Sequence, residues 1–202
     1  LRDFLFKENG FHRSRGEYYH HANSYVNRVL DDREGLPITL GVVFIELARR
    51  LGIAEVYGAA LPGKFMVGVK EPADELEDSL FFDVFEGGRA HTRESVSHVV
   101  LDMTGGTPSE SAFVPAEARE IAVRMLRNLV DLEINRRQTP AQAEDYLELL
   151  LAIQPDSAYE RFQRAILRVQ AAKLDGARED LDWLLENRPP GLDYSRLERF
   201  RE

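Results

Sequence analysis

The hydrophobic positions of the first half of the chain switch between two periods. Leu40, Val43, Leu47 and Leu51 recur at helical spacing, and so do Ile38, Val42, Ile45 and Ala48, so most of the circumference of residues 37–51 is apolar. That pattern predicts a helix buried inside a domain, with Pro37 in its first turn and Gly52 as the left-handed residue that ends it. Ala22, Tyr25, Val26, Val29 and Leu30 follow i, i+3, i+4, i+7, i+8 and predict a second core helix. Residues 1–9 read as the end of another helix.

After Gly52 the period drops to two. Residues 56–61 read as a strand, Pro62-Gly63 as a turn, and residues 64–69 alternate as a half-buried strand should. A third strand over residues 79–85 contains Asp83 and closes on Gly87-Gly88, after which residues 89–93 return as a fourth. Residues 71–78 form an acidic connection expected to be solvated. Residues 104–111, rich in Gly, Ser, Thr and Pro, are the best boundary, and beyond them the pattern is wholly helical.

Four helices are expected there. Ile121, Met125, Leu129 and Leu132 mark the first. Thr139-Pro140-Ala141-Gln142 reads as a capping box opening a second, which buries Ala143, Tyr146, Leu147, Leu150 and Leu151. Ser157-Ala158-Tyr159-Glu160 is another capping box, with Phe162, Ala165, Ile166 and Val169 inward behind it. The fourth runs over residues 177–187, and a short helix over 193–201 could cap the array. A shift of 34 residues superposes Ala143 on Ala177, Leu147 on Leu181, Leu150 on Leu184 and Pro155 on Pro189, the period and terminal proline of a tetratricopeptide repeat.

The order of buried helix, strand pair and Asp-bearing strand resembles the transglutaminase-like core. The wording is similar to its SirB-type branch: Arg33-Glu34-Gly35-Leu36-Pro37-Ile38-Thr39-Leu40, then Leu61-Pro62-Gly63, then Phe82-Asp83-Val84-Phe85-Glu86-Gly87-Gly88, then Arg124-Met125-Leu126-Arg127-Asn128-Leu129. The resemblance implies an α+β, papain-like core of helices on a small antiparallel sheet over residues 1–103, a linker at 104–115, and a tetratricopeptide-like helical region at 116–202. It also implies helical sequence ahead of Leu1, so that the chain is expected to be a fragment, and a bacterial cytoplasmic protein.

In the superfamily a triad of Cys, His and Asp stands at the helix start, on the second strand and on the third. The matching positions here are Thr39, Lys64 and Asp83, and the chain contains no cysteine. A threonine hydroxyl needs an adjacent base, and a carboxylate beside Lys64 favours the charged ammonium, which cannot accept a proton. The expected function is therefore a non-catalytic protein-binding or scaffold module. The alternative is a weak amidohydrolase or acyltransferase with Thr39 as nucleophile, Lys64 as proton acceptor and Asp83 as orienting group. His91, near the end of the strand region, is a candidate to stand in spatially for the missing imidazole.

The formal net charge of −9, with 30% charged residues, argues against nucleic acid or an anionic membrane as main partner. No apolar run reaches the length of a membrane span. Arg161, Arg164 and Arg168 recur at i, i+3, i+7, a basic stripe that would receive an acidic peptide or else lie solvated. His20-His21 is adjacent rather than spaced for one face, and His98 with Asp102 is the only helical pair, so no metal or other cofactor is expected. The partner expected is a protein or peptide.

Overall fold

The computed structural model describes residues 1–53, 55–70 and 79–201. The acidic connection expected at 71–78 lies outside them. Contacts divide the chain into two compact units, Leu1–Met125 and Leu126–Glu202, with the division inside one helix.

In the first unit, β1 (His12–Arg13) and β2 (Glu34–Gly35) form a short parallel pair beside α1 (Val26–Asp32). The main sheet is an antiparallel meander of β3 (Val56–Ala59), β4 (Met66–Val69), β5 (Leu80–Asp83) and β6 (Arg89–Thr92). Its registers pair Gly58 with Val67, Val67 with Phe82, and Phe81 with His91. Strand alternation gives the sheet two apolar faces. Val67 and Phe82 pack with Leu40, Val43 and Phe44 of α2 (Pro37–Arg50), whereas Met66 and Phe81 pack with Val96 and Val100 of α3 (Arg93–Thr104).

The expected buried helix is α2, whose Gly52 has φ +76 just past the end. The expected helix around Ala22 is broken: a 3-10 turn, His21–Ser24, precedes α1, and the extended Tyr25 between them turns Leu30 outward to 51% exposure. Helix α3 was not anticipated as an element, because only Val96 and Val100 of it are buried; Thr92 starts it by accepting from the Ser95 N–H. Residues 104–115 carry Phe113 into the core beside Phe81, and the Tyr57 hydroxyl donates to its carbonyl at 3.1 Å.

Helix α4 (Ala118–Leu132) leads into the second unit, made of α5 (Pro140–Ile153), α6 (Ala158–Gln170), α7 (Leu174–Asn187) and α8 (Tyr194–Arg201). Ala143, Leu147, Leu150 and Leu151 are buried on α5, and Ala165, Leu181, Leu184 and Leu197 share a core. Pro140 occupies the first turn as expected, but Thr139 makes no capping bond to the backbone; its hydroxyl donates instead to the buried Glu133. Ser157 likewise turns its hydroxyl to the Glu160 carboxylate rather than to a backbone N–H.

Candidate functional site

Pro37 pre-sets the first turn of α2 and places Thr39 two residues behind it, fully buried. Its hydroxyl accepts from the Leu36 N–H at 3.0 Å and has one proton to give. Two carbonyls compete for that proton, Asn23 at 2.7 Å and Leu36 at 3.1 Å. The hydroxyl thus ties the start of α2 to the segment before α1. Gly35 makes the approach possible, since a Cβ there would lie 2.9 Å from the Thr39 oxygen and 3.0 Å from Val29.

Beside this helix start the chain puts Phe65, at 1% exposure. The ring lies so close against α2 and β3 that a Cβ on Gly41 or Gly58 would come within 2.5 Å and 2.7 Å of it. Leu36 and Ile38 share its cluster.

Lys64 and Asp83 are brought together: the ammonium meets one carboxylate oxygen at 2.6 Å, with side-chain exposures of 17% and 3%. The other oxygen accepts the N–H groups of Phe85 and Glu86 at 3.1 and 3.3 Å, capping the 3-10 turn Val84–Glu86. Asp83 alternates with Phe82, so it belongs to the sheet face of Phe81 and His91, whereas α2 packs on the face of Phe82 and Val67. The Thr39 hydroxyl has its hydrogen bonds elsewhere, and neither Lys64 nor Asp83 is among its partners.

His91 lies on the face of Asp83 and feels the charges of both Asp83 and Lys64. Its Nδ1 is 2.9 Å from the Ser95 hydroxyl, and its Nε2 is buried with no hydrogen-bond partner. Burial pushes the imidazole below its ordinary pKa, outweighing the pull of Asp83, with Arg89 and Lys64 acting in the same direction as burial. It is a neutral ring in a tight niche next to the Lys64–Asp83 pair.

The arginine stripe differs from expectation. Its three side chains are only 13–15% exposed and are answered from within the unit. Arg164 grips Asp180 with two bonds, at 2.9 and 2.6 Å. Arg161 reaches the same carboxylate at 3.3 Å, donates to the Pro155 carbonyl, and lies 4.1 Å over the Trp183 ring. Arg168 links Glu144, Glu148 and Asp180 at 2.9, 3.0 and 3.1 Å. These cations are engaged in holding α5, α6 and α7 together. Asp180 was missed, although its spacing from Ala177, Leu181 and Leu184 put a carboxylate in a core stripe.

His98 faces Glu94 at 4.0 Å on the exposed side of α3 and takes no part in either arrangement. Among the described residues no group of three or more His, Asp or Glu side chains could hold a metal ion, and no helix is long and apolar enough to cross a membrane. The His20 and His21 rings lie tilted against each other at 34°, with centroids 4.5 Å apart.

Comparison with known proteins agrees with this architecture. The family model described as transglutaminase-like superfamily matches residues 1–127, and a tetratricopeptide repeat model matches 134–202. The chain therefore belongs to the transglutaminase-like superfamily, with a tetratricopeptide repeat following the core. It is similar to a UPF0162 protein of Xylella fastidiosa (strain 9a5c), 37% identical over 92% of this chain and 66% of that protein. UPF0162 protein YchA of Escherichia coli (strain K12) is 26% identical over 89% of this chain and 65% of its own length. A region of human F-box only protein 21 is 25% identical over 75% of this chain and 24% of that protein. The chain thus spans about two thirds of the length of the bacterial relatives it matches. No solved structure matches it significantly.

Proposed function

We propose that the chain is a non-catalytic protein-interaction module, in which a transglutaminase-like core serves as scaffold and the tetratricopeptide-like helices hold a protein or peptide partner. The proposed compartment is the cytoplasm, as the family resemblance implies. The observation that supports the loss of catalysis most is the Thr39 hydroxyl. A nucleophile must give its proton to a base and face a space where a reacting carbon can sit. Thr39 gives its proton to a backbone carbonyl and is fully buried. Lys64, the matching base position, is paired with Asp83. The tetratricopeptide repeat supports the binding role, because such helices line surfaces that receive extended segments.

The chain has no cysteine, so Thr39→Cys installs a single thiol at the superfamily's nucleophile position. The thiol is expected to resist a water-soluble thiol reagent under native conditions and to label on denaturation. Paired with Lys64→His, it is expected to remain inert toward a glutamine peptide and an amine acceptor. Rapid native labelling, or amide turnover by the unaltered chain that Thr39→Ala abolishes, would overturn the reading in favour of the amidohydrolase or acyltransferase alternative.

A further inference from the structure

Helix α4 rests on the start of α2 through Ile121 and Met125, which pack on Leu36, Ile38 and Phe65. Arg124 stands at i+3 from Ile121 and next to Met125, so it belongs to the same side of the helix. Its guanidinium lies 6.0 Å over the Phe65 ring, and its Nη1 donates to the Leu61 carbonyl at 3.3 Å. The Lys64 N–H donates to that same carbonyl at 3.1 Å, which places the guanidinium at the Pro62-Gly63 turn.

This cation lacks a counter-ion. Arg161, Arg164 and Arg168 each face a carboxylate and Lys64 is held by Asp83, but Arg124 makes no ion pair among the described residues. It is partly buried, and desolvation works against its charge with the Tyr18 phenol alone opposing. Its other N–H groups are not sealed in, since none of its nitrogens is buried without a partner. Within reach of its charge stands Tyr18, 42% exposed, with its ring edge-on to Phe85 at 5.8 Å. The result is a planar fork of donors open to solvent, backed by a buried ring and flanked by an exposed one.

We infer that Arg124 is a receiving site on the transglutaminase-like core for a carboxylate of a partner polypeptide, held by the free edge of the guanidinium beside Tyr18. A guanidinium matches a carboxylate with two parallel bonds, and one already steadied by a carbonyl and a ring loses little freedom in making them. Partial burial strengthens the pairing over one in open water. A phosphate dianion calls for a second cation, and Lys64, the other cation at this turn, is already neutralised by Asp83. The inference rests on the protein-interaction reading for the ligand being a polypeptide. It adds a contact on the core, where that reading places only a scaffold.

The test is a titration of the isotope-labelled full chain with short alanine-glycine host peptides whose central residue is glutamate, glutamine, phosphoserine or lysine. Backbone amide and arginine Nε–H resonances report the binding. The glutamate peptide is expected to shift the Arg124 Nε–H and the amides of Tyr18 and Lys64. It is expected to bind about ten-fold more tightly than the glutamine peptide, the scale of one charge-assisted hydrogen bond. Arg124→Gln is expected to bring glutamate down to the glutamine level while keeping the native spectrum. Should that variant fail to fold, Arg124→Lys keeps the charge and a donor for Leu61 but not the fork, and is expected to lose most of the preference. Equal binding of glutamate and glutamine, a preference for lysine, no response from any peptide, or an unchanged glutamate affinity in the variants would overturn the inference. A phosphoserine peptide bound more tightly than the glutamate peptide would overturn the carboxylate assignment. Shifts confined to residues 126–202 would overturn the site and leave the protein-interaction reading standing. Amide turnover abolished by Thr39→Ala would instead strike the non-catalytic reading and leave the result at Arg124 untouched.

Discussion

The two units bury polar groups in different company. In the first, Thr39 bonds backbone on both sides, Asp83 divides itself between two backbone N–H groups and Lys64, and His91 has a single hydroxyl neighbour. In the second, three guanidinium groups share Asp180, two of the surrounding acids are themselves buried, and the bonds cross three helices. Backbone-anchored polar groups fix one chain segment to the next, so each acts locally. A shared ion network couples helices that are far apart in sequence, so loss of its hub should unsettle the whole unit.

The strongest way to break this contrast is Asp180→Asn. It leaves Arg161, Arg164 and Arg168 facing a neutral amide in a nearly dry setting, and breaking a buried ion pair by removing one partner costs about 3–5 kcal/mol. Trp183 is the only tryptophan, so fluorescence-detected denaturation reports on the second unit alone. A loss under about 1 kcal/mol would mean that solvent screens the network, and the contrast between units would fail.

The first unit is expected to respond more mildly. Thr39→Val keeps the shape of the side chain but removes the hydroxyl that bridges the Leu36 N–H and the Asn23 carbonyl, which keep only their direct bond at 3.2 Å, for a loss of about 0.5–1.5 kcal/mol; Thr39→Ser, which restores the hydroxyl, should recover most of it. Hydrogen exchange of residues 21–50 would read both. An unaffected Thr39→Val protein would mean that the direct bond from the Leu36 N–H to the Asn23 carbonyl secures the turn alone, and that position 39 is not the anchor described above.

Much of this architecture was legible because apolar spacing is a local signal. The all-round apolar helix became α2, and alternation gave the strand pair and the Asp83 strand. Leu30 misled because its stripe assumed a continuous helix, while the extended Tyr25 resets the rotation before α1. Helix α3 escaped because Val96 and Val100 are too few to declare a period among Ser, His and Asp neighbours. At the candidate site, the Lys64–Asp83 pair followed from strand order. The fate of the Thr39 hydroxyl did not, because its partner Asn23 lies 16 residues earlier in a non-periodic turn. The arginine stripe was visible as charge, but its partners lie 12 to 24 residues away, and net charge on a helix face does not say whether another helix covers it.

The smallest expected effect separates the units by pH. Burial depresses the His91 imidazole, so between its folded value and the ordinary one of about 6.5 the unfolded chain binds more protons than the folded chain. Stability of the first unit therefore falls as pH drops below about 6.5. The groups bearing on this ring are Ser95 from α3, Asp83, which opposes the shift, and Arg89 and Lys64, which reinforce it. In the second unit, desolvation raises Glu144 and Glu160, but hydrogen bonds from Lys173 and Arg168 to the first, and from Arg127 and Ser157 to the second, outweigh it and hold both below the ordinary carboxylate value. Their contribution is present in full above about pH 4.3 and is lost only as pH falls through their lowered values. Hydrogen exchange between pH 7 and 4.5 should thus show protection declining over residues 80–100 while residues 140–185 hold steady. His91→Gln should flatten the first response and leave the second unchanged. Parallel decline in both units, or a first unit indifferent to His91→Gln, would show that the two sets of buried groups do not titrate apart.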